Sequence, residues 1–95
     1  MTFNVKLSSV IVEQLNSFDS KSKAIIWEKI KLIKENPFYF KRIHSKKFKK
    51  VFRVRLSING KETRLIYVLI EPNIIVVCLL ERNKNYKDLE KYLKI

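Results

Sequence analysis

The sequence predicts an α+β domain: an antiparallel β-sheet with an N-terminal helical hairpin packed on one face, in the order β-α-α-β-β-β-α. Three observations predict it. Two segments of helical period lie close together before Pro37. Three apolar or alternating runs follow between residues 52 and 81. Asn59-Gly60 joins the first two of those runs, and this dipeptide is the strongest short hairpin signal. At 95 residues, 46% hydrophobic, with one Gly and two Pro, the chain makes a single domain over 1–95 with a modest core.

Each element has its own signal. "TFNVKL" at residues 2–7 is rich in β-formers. Ser8 or Ser9 then caps a helix through about Phe18, with Val12, Leu15 and Phe18 at apolar spacing. "FDSKSK" breaks it, and Ser20 caps a second helix whose stripe is Ile26, Trp27, Ile30 and Ile33, with Trp27 read as core. Pro37 ends that helix by disfavouring the α conformation at Asn36. Residues 38–50 read as irregular and basic, with Phe38, Tyr39 and Phe40 tucked against the helices. Phe52, Val54 and Leu56 alternate with Arg53, Arg55 and Ser57, the pattern of a strand buried on one face. Residues 64–70 are apolar on both faces beyond Arg64, as in a central strand. "EPN" turns the chain into a third strand over 74–81, and residues 85–95 are read as a short helix with Leu89, Tyr92 and Leu93 facing inward.

Composition narrows the function. The longest apolar run, 74–80, is too short to span a bilayer. The N-terminus lacks the charged region and apolar stretch of a signal peptide, so the expected location is the cytoplasm, with no membrane partner. One Cys and one His do not make a zinc site, and Cys78 inside "IIVVCLLE" is read as an inert core thiol. Neither a metal nor a cofactor is expected. With 21 Lys and Arg against nine acids, a net charge of +12 favours a polyanionic partner. The charge is concentrated: Lys41, Arg42, Lys46, Lys47, Lys49, Lys50, Arg53 and Arg55 follow one another with no acid between.

Folding the hairpin on Asn59-Gly60 puts Arg55 directly opposite Arg64, with Arg53 two residues away on the same face. Like charges facing each other across strands are destabilising. If the helices cover the face of Val54, Leu65 and Tyr67, the three arginines share the other face. The third strand brings Glu81 and Arg82 to the same end of the sheet, and the turn at "EPN" leaves open which of them faces Arg64. Tyr86 follows at the mouth. A plain alternative is that the arginines lie over apolar surface and pair with Glu62 and Glu81.

"FRVRL", a short polar turn, "TRLIYVL", an apolar strand and then "LLERNKNYKDL" resemble the RelE/ParE toxin superfamily, as do "ENP" and the Lys-rich loop before "FRVRL". The resemblance covers nearly the whole chain. It implies the RelE-like fold and a metal-independent endoribonuclease that cleaves messenger RNA, usually in the ribosomal A site. It also implies an antitoxin partner, similar to RelB, encoded beside the toxin and expected over the helical hairpin and residues 85–95. By the same resemblance Arg64 holds the scissile phosphate, and Arg55, with Arg53, stabilises the cleavage transition state. Arg82 and Tyr86 match the basic residue and the tyrosine after the last strand. Arg53 falls at an RNA-contacting position, and Lys46, Lys47, Lys49 and Lys50 form the basic loop.

Attack by a 2′-hydroxyl needs in-line geometry, proton transfer and compensation for charge on the phosphorane. Clustered guanidiniums supply the first and last. Some relatives have lysine where Arg53 and Arg55 stand, and arginine does not give up its proton. Proton transfer therefore falls to Tyr86, Glu81 or His44. Three other readings stand beside this one: a ParE-like toxin acting on DNA gyrase, a non-catalytic nucleic-acid-binding module, and a degenerate toxin kept for binding its antitoxin.

Overall fold

The Asn59-Gly60 turn sets the frame of the sheet. Both residues have positive φ, 51° and 77°, the backbone that a two-residue type I′ hairpin requires. A Cβ added at Gly60 meets nothing within 4 Å, so the demand on that residue is conformational rather than steric. The computed structural model describes residues 2–81. Arg82, Tyr86 and the helix expected over 85–95 lie outside the described residues.

Five strands and two helices are described: β1 (Asn4–Leu7), α1 (Ser9–Asn16), α2 (Ser20–Glu35), β2 (Lys41–Ile43), β3 (Val51–Ile58), β4 (Lys61–Ile70) and β5 (Asn73–Glu81). They form one sheet in the order β1-β5-β4-β3-β2. The α+β class with its helical hairpin matches the sequence expectation, with one added strand and one departure from the expected all-antiparallel sheet. The basic segment after Pro37 contains the short strand β2, paired antiparallel with β3. The N-terminal strand β1 runs parallel to β5 at the far edge.

Side chains of α1 continue the hydrogen bonding of β5 beyond the end of β1. Ser8 caps α1 by accepting from Ile11 N at 3.1 Å, while its hydroxyl donates to Val77 O. Gln14 then serves both groups of Leu79, accepting from its N–H at 2.7 Å and donating to its carbonyl at 3.0 Å. Polar side chains thus satisfy strand groups that water or another strand would otherwise satisfy. The cap of α2 is Asp19 rather than Ser20. Its carboxylate accepts from Ser22 N at 2.8 Å, and hydrogen bonding from the Ser22 side chain and backbone holds its pKa below the ordinary value.

The helix-side core gathers Ile11, Leu15, Ile26, Ile30 and Ile33 against Phe52, Val54, Leu56, Leu65, Tyr67 and Leu79. Trp27 is not part of it and stands 47% exposed. Ile26, Ile30 and Ile33 already fill the buried stripe, and the residue beside Ile26 is rotated onto its flank. Phe38 and Tyr39 are also exposed, although the Phe38 ring meets the buried Phe3 edge-on at 6.2 Å, and Phe40 packs on the core. The second face of the sheet is not bare. Val51, Ile66, Val68, Val77, Cys78 and Leu80 form a buried apolar cluster there, with Val10, Ile43, Phe48 and Ile75 packed against it. Among the described residues no helix is long and apolar enough to cross a membrane.

Candidate nucleic-acid interface

Alternation along β3 sends Phe52, Val54, Leu56 and Ile58 to the helices and leaves Arg53 and Arg55 on the second face. The β3–β4 register pairs Arg55 with Arg64 and Arg53 with Ile66. Arg53, Arg55 and Arg64 are therefore brought together, as the turn predicts. Arg55 is exposed, while Arg53 and Arg64 are half-buried. A second like-charge pair, which the sequence reading missed, lies beside the first: Lys41 of β2 faces Arg53. Four cations thus lie on one edge of the second face. Each facing pair costs from a few tenths to about 1 kcal/mol relative to neutral partners.

One guanidinium nitrogen carries an additional cost. Arg53 Nη1 is buried with no hydrogen-bond partner among the described residues. Buried donors are nearly always satisfied, so an unsatisfied one marks a place where an acceptor is expected. Near the hairpin tip, Glu62 and Thr63 line a small recess with Arg55 and Arg64.

Glu81 is not part of this group. Leu80 faces Arg64, while Glu81 faces Thr63 and lines a cavity with Gln14, Phe18 and Leu79 on the helix side. A bulge between Ile66 and Tyr67 shifts the β4–β5 register by one residue, and a shift of one moves a side chain to the other face. No pattern at the "EPN" turn signals that bulge.

The basic loop joins β2 to β3. His44, Lys46, Lys47 and Lys49 are exposed there. Lys50 is engaged: its Nζ lies 3.1 Å from Glu71 Oε1 and 5.5 Å from the centre of the Phe38 ring. Arg42 points to the helix side, 6.0 Å from the centre of the Phe52 ring, and donates to Lys49 O. Among the described residues no group of three or more His, Cys, Asp or Glu could hold a metal ion. Cys78 sits at the centre of the second-face cluster with its thiol pushed up to about 12 by burial, far from nucleophilic use.

Along the outer side of β3 the sheet opens. Lys41 is the last β2 residue in register, opposite Arg53. Phe40 and Tyr39 would come next, opposite Val54 and Arg55, but the chain peels away toward Pro37. Tyr67 Oη holds it there by donating to Pro37 O at 2.6 Å. The gap is a cleft of about 630 Å³ lined by Lys29, Tyr39, Phe40, Lys41, Arg53, Val54 and Arg55.

No protein-family model matches the sequence, and no curated protein matches it at a significant level. Solved structures do match its fold. A double arginine-to-alanine variant of E. coli toxin RelE in the free state superposes with a TM-score of 0.72 at 14% identity, covering 99% of this chain and 97% of the other. The archaeal RelE–RelB complex from Pyrococcus horikoshii OT3 gives 0.70 at 21% identity, covering 90% of this chain and 100% of the other. The intact E. coli RelBE toxin–antitoxin complex gives 0.64 at 13% identity, covering 88% and 100%. With TM-scores of 0.64 to 0.72 and near-complete mutual coverage, the chain has the RelE fold.

Proposed function

We propose that this protein is a RelE-like toxin, an endoribonuclease that cleaves messenger RNA and stops translation. One observation carries the reading: a RelE fold whose β3–β4 hairpin pairs Arg55 with Arg64, with Arg53 on the same face. Cations held on one face of a sheet can converge on a single phosphate and share its charge. Arg55 and Arg64 bracket the scissile phosphate and stabilise the phosphorane, where compensation counts most because it strengthens in the transition state. Arg53 binds the strand beside it. The nucleophile is the neighbouring 2′-hydroxyl of the RNA, so products carry a cyclic phosphate.

Arginine stays protonated, so the proton leaves through another group. Glu81 faces away, on the helix side. Tyr86 and His44 remain the carriers in this reading, with Arg82 as a further cation. The lysines of the loop, Lys46, Lys47 and Lys49 above all, hold the RNA or ribosome backbone electrostatically. The solved RelBE and RelE–RelB complexes support an antitoxin as the natural partner, one whose acidic groups complement the basic face in the resting cell.

The test is a translation-arrest assay in a cell-free system, with the 3′ ends of the messenger mapped. Discrete cuts ending in 2′,3′-cyclic phosphate, absent from Arg55→Ala and Arg64→Ala, support the reading. Arrest of DNA supercoiling with intact messenger points instead to a gyrase-directed toxin.

A further inference from the structure

The cleft beside β3 has a construction that phosphate chemistry at Arg55 and Arg64 does not require. Tyr39 is 77% exposed, more than any other large apolar or aromatic side chain among the described residues. It is also held in place. Its ring meets Phe40 edge-on at 5.1 Å, Phe40 meets Tyr67 edge-on at 6.4 Å, and Tyr67 stacks on Phe52 at 5.1 Å and 8°. This chain of rings runs from the core to the surface, and such edge-to-face contacts fix ring orientation. A braced, exposed aromatic is a stacking platform with its cost of ordering already met. Around it stand Lys29, Lys41, Arg53 and Arg55, and Arg53 carries the buried nitrogen that has no acceptor among the described residues.

We propose that this cleft is a nucleotide subsite for single-stranded RNA, in which a base stacks on Tyr39 and the adjoining phosphate is held by Arg53, Lys41 and Lys29. It rests on the nuclease reading, and extends it from the scissile phosphate to a flanking nucleotide. Arg53 belongs to both places, so strand bound in the cleft continues directly to Arg55 and Arg64. Stacking tolerates any base, which makes the subsite a grip on unpaired RNA rather than a reader of sequence. The unpaired outer backbone of β3 also suits an extended peptide. The four cations and the aromatic platform favour the polyanion with flat bases.

The experiment uses the full chain with Trp27→Phe and Tyr39→Trp, so that its one tryptophan stands at the platform. The probe is an adenine octamer with every 2′-hydroxyl methylated, which binds but offers no nucleophile, so binding is read independently of cleavage. Saturable quenching of the fluorescence of that single tryptophan is expected. In the otherwise native chain, Tyr39→Ala weakens octamer binding about 5-fold to 100-fold with an unchanged salt slope, and Tyr39→Phe restores it. Lys41→Ala lowers the salt slope by about one. Binding that is indifferent to Tyr39→Ala, or a tryptophan signal quenched by a glutamate-rich peptide and not by the octamer, overturns the subsite. Translation arrest that survives in the same preparation would leave the nuclease reading standing. Quenching without cleavage of native RNA keeps the subsite and removes the nuclease.

Discussion

Arg55 of β3 and Arg64 of β4 stand directly opposite each other across the Asn59-Gly60 hairpin, and no turn or bulge separates them from that tip. Their juxtaposition is therefore locked by the shortest-range feature of the sheet. Arg55 is exposed and outside the buried core, so removing it leaves the packing of both faces in place. Arg55→Ala is expected to change stability by no more than about 0.5 kcal/mol, as for other exposed positions. Arg55→Ala and Arg64→Ala should each lower cleavage by about two orders of magnitude or more, the scale of losing one oriented transition-state donor. Thermal melts run beside the translation-arrest assay separate the two effects. A large drop in melting temperature with activity retained would make the pair structural.

The loop lysines should act through salt. Each phosphate contact releases counterions, so a log–log plot of affinity against salt falls with a slope close to the number of contacts. Lys46, Lys47 and Lys49 are exposed, whereas Lys50 is paired with Glu71. Replacing the first three with Ala is expected to flatten the slope by two to three, with about one expected per lysine. Lys50→Ala alone should change it by less than one. Filter binding of the methylated octamer from 50 to 300 mM salt, on the order of the range where such slopes are linear, gives the comparison. Equal effects from all four lysines would mean that the Glu71 pair does not hold in solution.

These two arrangements differ in how far the sequence reveals them. The Arg55–Arg64 pairing was legible because Asn-Gly selects a two-residue turn and the register follows. The position of Glu81 was not, because the bulge at Ile66/Tyr67 leaves no mark in a run where every residue is apolar. The strand β2 was hidden for another reason. Three residues, Lys41, Arg42 and Ile43, two of them exposed, carry too little periodicity to register as a strand. The parallel pairing of β1 with β5 joins residues about seventy positions apart and leaves no local signal. The cleft at Tyr39 exists because β2 ends where it does, so it could not be read before β2 was known.

The placement of Glu81 yields a prediction about proton transfer. Since its side chain shares a cavity with Gln14 and Phe18 rather than with the arginines, Glu81→Gln should leave the rate within about 3-fold of the native protein. Tyr86→Phe, which removes the hydroxyl and keeps the ring, should cost about 100-fold or more if that hydroxyl moves the proton. Single-turnover cleavage rates decide between the two. A large loss in Glu81→Gln with an intact Tyr86→Phe rate would reverse the assignment.

Burial of Cys78 has a pH signature. Its folded-state pKa is raised from 9.0 to about 12 by desolvation, so the neutral thiol is the buried form. The stability linked to it is fully present below pH 9 and is lost as pH rises through the window from 9 to 12. The slope it contributes is at most about 1.4 kcal/mol per pH unit. In Cys78→Ala the alkaline limb should be shallower by up to this amount, even though the variant starts from a lower stability. The native thiol should also resist alkylation at about pH 8, where even a free thiol is only partly ionised, under non-denaturing conditions. Rapid alkylation of the folded protein would show that the second-face cluster opens.

Tyr67 links the core to the cleft, and its hydroxyl can be tested separately from its ring. The ring stacks on Phe52 and supports Phe40, while Oη donates to Pro37 O at 2.6 Å in a buried setting. Burial raises the phenol pKa well above its ordinary value, so the group remains a donor throughout the physiological range. Tyr67→Phe keeps every apolar contact of the ring and leaves the Pro37 carbonyl without this donor. The expected cost is about 1–3 kcal/mol, seen as a fall in melting temperature of several degrees. A purely structural role would end there. Because the same bond holds residues 37–40 away from β3, losing it should also loosen the cleft and weaken octamer binding, while leaving the Arg55–Arg64 register untouched. Binding is measured well below the variant's melting temperature, so that loss of fold does not contribute. Reduced affinity for the octamer with cleavage of saturating RNA preserved is the expected pair of results. Unchanged affinity would show that the segment keeps its path without the Tyr67 hydroxyl, with Phe40 packing alone sufficient to hold it.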